Sequence, residues 1–231
     1  MLCVFLALIR RDMAVVLRNG QLSSTLSFFI MVVVFFPLAI DPASLDLAAI
    51  SPAIIWIGLF LAAQLPLERL LHDDYQDGSL ALWSLTRAPL EVIATAKYAV
   101  AWLTASLPMI FAALASGMLV YQWPMDAILN NMLTILVGSL LLTLISLLTR
   151  CLTLGSRGGK GLIYLMSMPL SLPTLIFGAA SLRTHTPTDL NTSIDTETTT
   201  ALILLSLLLL ATLIPMLWAS TLALRNAISH Q

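Results

Sequence analysis

Glu68-Arg-Leu-Leu-His-Asp-Asp-Tyr-Gln-Asp-Gly-Ser-Leu-Ala-Leu-Trp-Ser-Leu-Thr-Arg-Ala-Pro-Leu-Glu-Val-Ile-Ala-Thr-Ala-Lys97 decides how the rest of the chain is read. It holds eight charged residues in a protein where only 10% of residues are charged and 59% are hydrophobic. Soluble domains carry about 25% charge. A polar, helix-prone insert between long apolar runs must sit in water or against a partner, because lipid would leave its charges unsolvated. The chain therefore reads as an integral membrane protein that holds residues 68–97 at a membrane surface.

Working outward, six apolar segments approach the roughly 20 residues needed to span a bilayer: 22–40, 48–67, 98–120, 127–149, 162–182 and 201–223. Pro42 breaks the first connection and Pro124 the third; Tyr121 and Trp123 suit the headgroup level. Residues 1–19 read as an amphipathic interfacial helix. Arg10, Arg11 and Arg18 share an arc with Ala7 and Ala14, while Leu2, Phe5, Leu6, Ile9, Met13, Val16 and Leu17 cover the other side. Asp12 falls on the apolar side and breaks the pattern.

Basic residues set the orientation. Ten of the eleven (Arg10, Arg11, Arg18, Arg69, Arg87, Lys97, Arg150, Arg157, Lys160 and Arg225) fall on one side of the six-span scheme, and only Arg183 on the other. The ten mark the cytoplasmic face, with both termini inside. The expectation is an all-α polytopic protein with one domain over residues 1–231. Net charge of -1 argues against nucleic acid as a partner.

Chemistry is sparse. The spans show no confident buried charge. Gln64, Asn130 and Asn131 are polar within spans and read as helix-joining groups. His72, His185 and His230 form no metal-ligand spacing, and Cys3 and Cys151 fit no metal or redox motif. Gly155-Ser-Arg-Gly-Gly-Lys160-Gly161 has three residues between Gly155 and Gly159, where four are needed, and Gly after Lys, so it is not a phosphate-binding P-loop. Catalytic residues are not expected. Pro169 and Pro173 predict a kink or break in the fifth span.

Within the opening stretch, Leu67, Leu70, Leu71 and Asp74 share one helical side. Gly78 can end that helix and Ser79 can cap a short second one, while Pro89 and Glu91 suit the start of the next. This makes a helix–glycine–helix elbow between spans two and three, whose Leu80, Leu82, Trp83 and Leu85 need cover from lipid or a partner.

Glu68-Arg69-Leu70, Asp73-Asp74 and Gln76-Asp77-Gly78-Ser79-Leu80 resemble the signature of the heme exporter B subunit family, the permease of the cytochrome c maturation ABC transporter. Phe36-Pro37-Leu38, Pro52-Ala-Ile-Ile-Trp-Ile57, Lys97 with Trp102, Leu107-Pro108, Arg157-Gly158-Gly159 and the run 169–177 match in order, nearly end to end. Ala81 departs from the family pattern, where Glu is expected, as does Thr86-Arg87-Ala88-Pro89. The resemblance implies an ABC-2-type permease of the bacterial inner membrane with six spans. It would work as a pair beside a paired ATP-binding cassette ATPase subunit, with ATP hydrolysed only in that partner. Further implied partners are a haem-handling membrane subunit with its small companion and a haem chaperone. Haem would be a transported or handled ligand rather than a bound cofactor.

Two routes stay open: passage of haem through this subunit, or use of ATP hydrolysis to release loaded chaperone. The lack of a convincing haem ligand favours the second. Alternatives are a permease for another amphiphile and a non-transporting scaffold. The ATPase-coupling residues are expected to be Arg69, Asp73, Asp74, Asp77, Gly78, Leu80 and Trp83.

Overall fold

The computed structural model describes residues 2–39, 47–84, 89–154, 161–182 and 192–229. Among them the chain is helical: α1 (Leu2–Arg18), α2 (Gln21–Ala39), α3 (Leu47–Gln76), α4 (Ser79–Ser84), α5 (Leu90–Ala101), α6 (Leu107–Leu119), α7 (Ile128–Thr153), α8 (Gly161–Ser181) and α9 (Thr192–Ser229). A π-helical segment, Trp102–Ser106, joins α5 to α6, so Leu90–Leu119 is one continuous rod. Pro108 explains its place. Its ring clashes with the carbonyl four residues back and it donates no N–H, and the widened π turn absorbs the mismatch.

Among the described residues five helices are long and apolar enough to cross a membrane: Gln21–Ala39, Leu47–Gln76, Leu90–Leu119, Ile128–Thr153 and Thr198–Asn226. In α8 the apolar described part, Leu165–Ser181, is shorter. The helices outrun the expected spans at one end. A 30-residue helix such as α3 is about 45 Å long against a hydrocarbon core of about 30 Å, so its last turns project beyond lipid. The third rod begins at Leu90, ahead of the apolar run at 98, where Pro89 and Glu91 mark a helix start: the proline presets the first turn and the glutamate suits its positive end. The break expected at Pro169 and Pro173 is absent: α8 runs through both. Membrane helices tolerate proline where neighbouring helices and hydroxyls satisfy the freed carbonyls.

α7 is the central post, packed on α3, α6, α8 and α9 and buried on all sides from Leu141 to Cys151. Two apolar clusters stack along the bundle. One gathers Phe29, Val33, Ile55, Trp56, Leu59, Met109, Tyr121, Trp123 and Ile135. The other gathers Val16, Leu70, Leu71, Leu80, Ile93, Val100, Leu147, Cys151 and Leu224. By contrast α9 exposes Ile203, Leu207, Leu210, Ile214 and Trp218. Such large exposed apolar residues along one long helix are what lipid contact requires.

The turn after α6 closes the first cluster. Tyr121 donates its hydroxyl to the Val33 carbonyl at 2.9 Å, and Trp123 Nε1 donates to Ser51 Oγ at 2.8 Å. Gln122 between them has φ 53°. Burial pushes the Tyr121 phenol up to about 12, so it serves as a neutral donor.

Candidate functional site

The charge-rich stretch comes together at the end of the bundle where α1, α3 and α5 meet. α3 stops at Gln76, and Gly78 turns the chain with φ +71° into α4. Nothing lies within 4 Å of where a Cβ on Gly78 would sit, so the requirement for glycine there is conformational, not spatial. The turn is closed by Asp77 N donating to the Asp73 carbonyl at 2.9 Å and Gly78 N to the Tyr75 carbonyl at 3.3 Å. Ser79 does not use its hydroxyl to cap α4. The hydroxyl lies 3.1 Å from both the Asp74 carbonyl and Asp74 Oδ1, and ties the turn back to the helix it leaves.

The expected coupling residues divide into two groups. Asp73 and Asp77 are exposed on the outer side of the turn. Asp74 and Leu80 are turned inward; for Leu80 this corrects its reading as an anchor for a partner's groove, and Asp74 keeps the side it shares with Leu70 and Leu71. Leu80 is fully buried in the second cluster with Leu71, Ala223 and Leu224, because α4 folds back onto α9. Leu82 is the large apolar residue that α4 exposes, at 63%. The side chains of Arg69 and Trp83 lie outside the described residues, as do residues 155–160, residues 183–191 with His185, and His230.

Asp74 belongs to a buried ion network that the spacing of residues did not reveal. Lys97, on α5, is 1% exposed, Asp12 on α1 2% and Asp74 5%. The Lys97 ammonium reaches Asp12 Oδ2 at 2.7 Å, donates to Asp74 Oδ2, and donates to the Leu70 carbonyl at 3.2 Å. Two of these contacts are hydrogen bonds, and the one to Asp12 is a close ion pair. Arg11, half-exposed, donates from Nη2 to Asp74 Oδ1 at 2.8 Å and approaches Asp12 at 3.5 Å. Two carboxylates and two cations balance, as buried charge requires. A small crevice bordered by Asn19, Gln21, Asp73 and Lys97 has room for water but not for an organic ligand.

Lys97 and Arg150 also correct the reading of the spans as free of buried charge. Both were placed in cytoplasmic connections. The rod that starts at Leu90 carries Lys97 inside the bundle, and Arg150 lies in the last turn of α7, 5% exposed, donating to the Gln64 carbonyl at 3.0 Å. A cation in the last turn also faces the negative end of the helix. Between the two apolar clusters, polar contacts join the helices. Tyr98 donates to the Leu140 carbonyl at 3.1 Å, Trp102 Nε1 to Ser139 Oγ at 3.1 Å, and Ser106 pairs with Thr143 at 2.8 Å. Asn130 joins helices as expected, donating to the Ser181 carbonyl at 2.9 Å. Gln64 does so only through its main chain; its fully buried amide meets no partner among the described residues. Nor does any group of three His, Cys, Asp or Glu suited to a metal occur among them.

A helical bundle with several membrane-length helices, and a buried ion network where α1, α3 and α5 meet, defines a polytopic membrane protein. The chain belongs to the CcmB protein family, whose sequence model matches residues 3–227. It is similar to heme exporter protein B of Bradyrhizobium diazoefficiens, 41% identical over 177 residues, 76% of this chain and 79% of that protein. Heme exporter protein B of Haemophilus influenzae is 38% identical over 184 residues, covering 78% and 81%. That of Paracoccus denitrificans is 33% identical over 220 residues, covering 95% and 97%.

Proposed function

We propose that this chain is the permease subunit of an ABC transporter complex that serves haem delivery to the periplasm and c-type cytochrome biogenesis. The observation that carries the reading is the 33–41% identity to proteins named heme exporter protein B over most of both chains. The chain acts as one transmembrane domain in the bacterial inner membrane, with six spans and both termini cytoplasmic. The sixth span is α8, supported by its uninterrupted apolar helix. α1 lies in the interface, an arrangement supported by its exposed Val4, Leu6 and Leu17 beside exposed Arg10 and Arg18.

ATP is hydrolysed by a separate ATPase subunit, and the work enters through the turn at Gly78. Asp73 and Asp77 offer that partner negative charge, and Leu82 offers an apolar anchor in place of the inward Leu80. The chain handles haem through its complex, including a haem-handling membrane subunit and a haem chaperone, and its output is release of loaded chaperone.

Deletion of the gene followed by haem staining of periplasmic c-type cytochromes tests the assignment; cytochromes at normal levels would overturn it. Asp77→Lys tests the entry point. A reversed charge at a partner contact costs several kcal/mol through repulsion or an unpaired charge. The variant should reach the membrane yet lose both the co-purified ATPase and c-type cytochromes. Retention of both places coupling elsewhere.

A further inference from the structure

Asp73 and Asp77 look outward, but Asp74 between them looks inward, onto a lysine of the next membrane rod. We propose that Asp74, Lys97 and Asp12 form the joint that passes movement of the Gly78 turn to the third span. This inference rests on the reading above that the turn receives the ATPase.

Three observations support it. First, the turn cannot move independently of Asp74. Ser79 is tied to both the carbonyl and the carboxylate of that residue, and the Asp77 and Gly78 amides close onto the same helical turn. Second, Asp74 cannot move independently of Lys97. A lysine buried to 1% exposure that lost Asp74 would give up a charge-assisted hydrogen bond that water cannot replace there, and would keep Asp12 as an ion-pair partner. The low-cost response to a push on Asp74 is for α5 to follow. Third, Lys97 stands five residues before the π segment of the same rod. A π turn is where a helix can change its hydrogen-bond register, and such turns recur at functional positions. Its Trp102 and Ser106 meet Ser139 and Thr143, one turn apart on α7. A displacement entering at Lys97 therefore reaches the central post through two defined hydrogen bonds. Asp12 gives the lysine a second carboxylate from α1, so the joint has an anchor on the membrane-surface side.

Lys97 and Asp74 act here as positioning residues, so the test separates coupling from assembly. Asp74→Asn and Asp74→Glu are expressed in the full complex. Four quantities are measured: chain in the membrane, co-purified ATPase, ATP hydrolysis by the purified complex, and c-type cytochrome by haem stain. The expected result for Asp74→Asn is retained ATPase and hydrolysis with cytochrome reduced about fivefold or more, the lower end of ordinary site-to-site coupling. Asp74→Glu, which keeps the charge, should restore output. Normal cytochrome in Asp74→Asn, or equal loss in Asp74→Glu, shows a static clamp and overturns the proposal. If Asp74→Asn is depleted from the membrane, Ser79→Ala carries the test: it leaves every charge paired and cuts only the hydroxyl tie. Normal cytochrome in Ser79→Ala then sinks the joint. Failure of the parent reading looks different: the unmodified chain would bring down no ATPase, or its deletion would leave cytochromes intact.

Discussion

Trp56 is clamped between two glycines, and adding one methyl group should open the bundle. A Cβ at Gly138 would fall 2.0 Å from Trp56 Cη2 and 2.6 Å from Cζ3. A Cβ at Gly178 would fall 2.5 Å from both Cε2 and Cζ2. Ordinary carbon contacts lie near 3.5–4.0 Å, so Gly138→Ala demands that the ring retreat about 1.5 Å. It cannot retreat toward α8, because Gly178 stands there, and the ring is only 1% exposed. Overpacking of this kind costs about 1–3 kcal/mol, and a slot closed on both sides puts the expectation near the upper end. The helix-propensity gain of alanine over glycine returns up to about 1 kcal/mol, leaving a net loss of about 2 kcal/mol.

Gly58→Ala is the control. Its Cβ would lie 3.1 Å and 3.2 Å from the Phe29 ring, a shift of a few tenths of an ångström that the propensity gain can offset. Thermal unfolding of the detergent-purified protein, followed by size-exclusion chromatography, should show a clear fall for Gly138→Ala and little change for Gly58→Ala. Trp56→Leu alone should also destabilise, by leaving a cavity, yet the double variant should be more stable than the two losses summed. Wild-type melting of Gly138→Ala, or strict additivity in the double variant, would refute the clamp.

At Gly78 the space is open and only φ is constrained, so Gly78→Val should cost about 1–2 kcal/mol or more and Gly78→Asn much less. Cytochrome content should follow that order, and equal behaviour of the two would remove the backbone explanation. Ser51→Ala leaves the buried Trp123 N–H without its acceptor and should destabilise by about 1–3 kcal/mol in the same melting assay. Reporter fusions after Pro42, Trp123 and Asp189 should read outside, and those after Gly78, Gly158 and Gln231 inside; a cytoplasmic signal from Asp189 would break the six-span topology. His185→Ala should leave c-type cytochrome assembly near normal, since no other histidine falls on the outward side of the six-span scheme to pair with it at a haem; loss of assembly with the protein still in the membrane would argue for direct contact.

What could be read in advance was whatever local chemistry determines. Apolar length marked the five long helices, Gly78 marked a turn with positive φ, and Pro89 marked a helix start. Asn130 was recognisable as a helix-joining group. Leu80 was misjudged because a six-residue helix shows which residues are apolar but not which neighbour covers them; here Ala223 and Leu224 do, from the far end of the chain. Lys97 was misjudged for a related reason. The helix start at Pro89 was legible, but Lys97 lies before the apolar run and was counted with the water-facing connection; the helix carries it into the bundle, where paired carboxylates replace water.

Asp12 was a visible trace of the ion network. A carboxylate on the apolar side of an amphipathic helix is too costly to leave unpaired against lipid or core. Its presence in that arc required a cation on whatever element the apolar side packs against. That element is α5, and the cation is Lys97. The same reasoning applies to Asp74, which shares a helical side with Leu70 and Leu71 and is buried with them. Both acids therefore pointed to a basic residue inside the bundle, although neither could say from which helix it came. Asp73 and Asp77 are exposed on the same short turn, so its acids alternate between the two faces: under the proposed coupling one face would meet the ATPase while Asp74 holds the ion network.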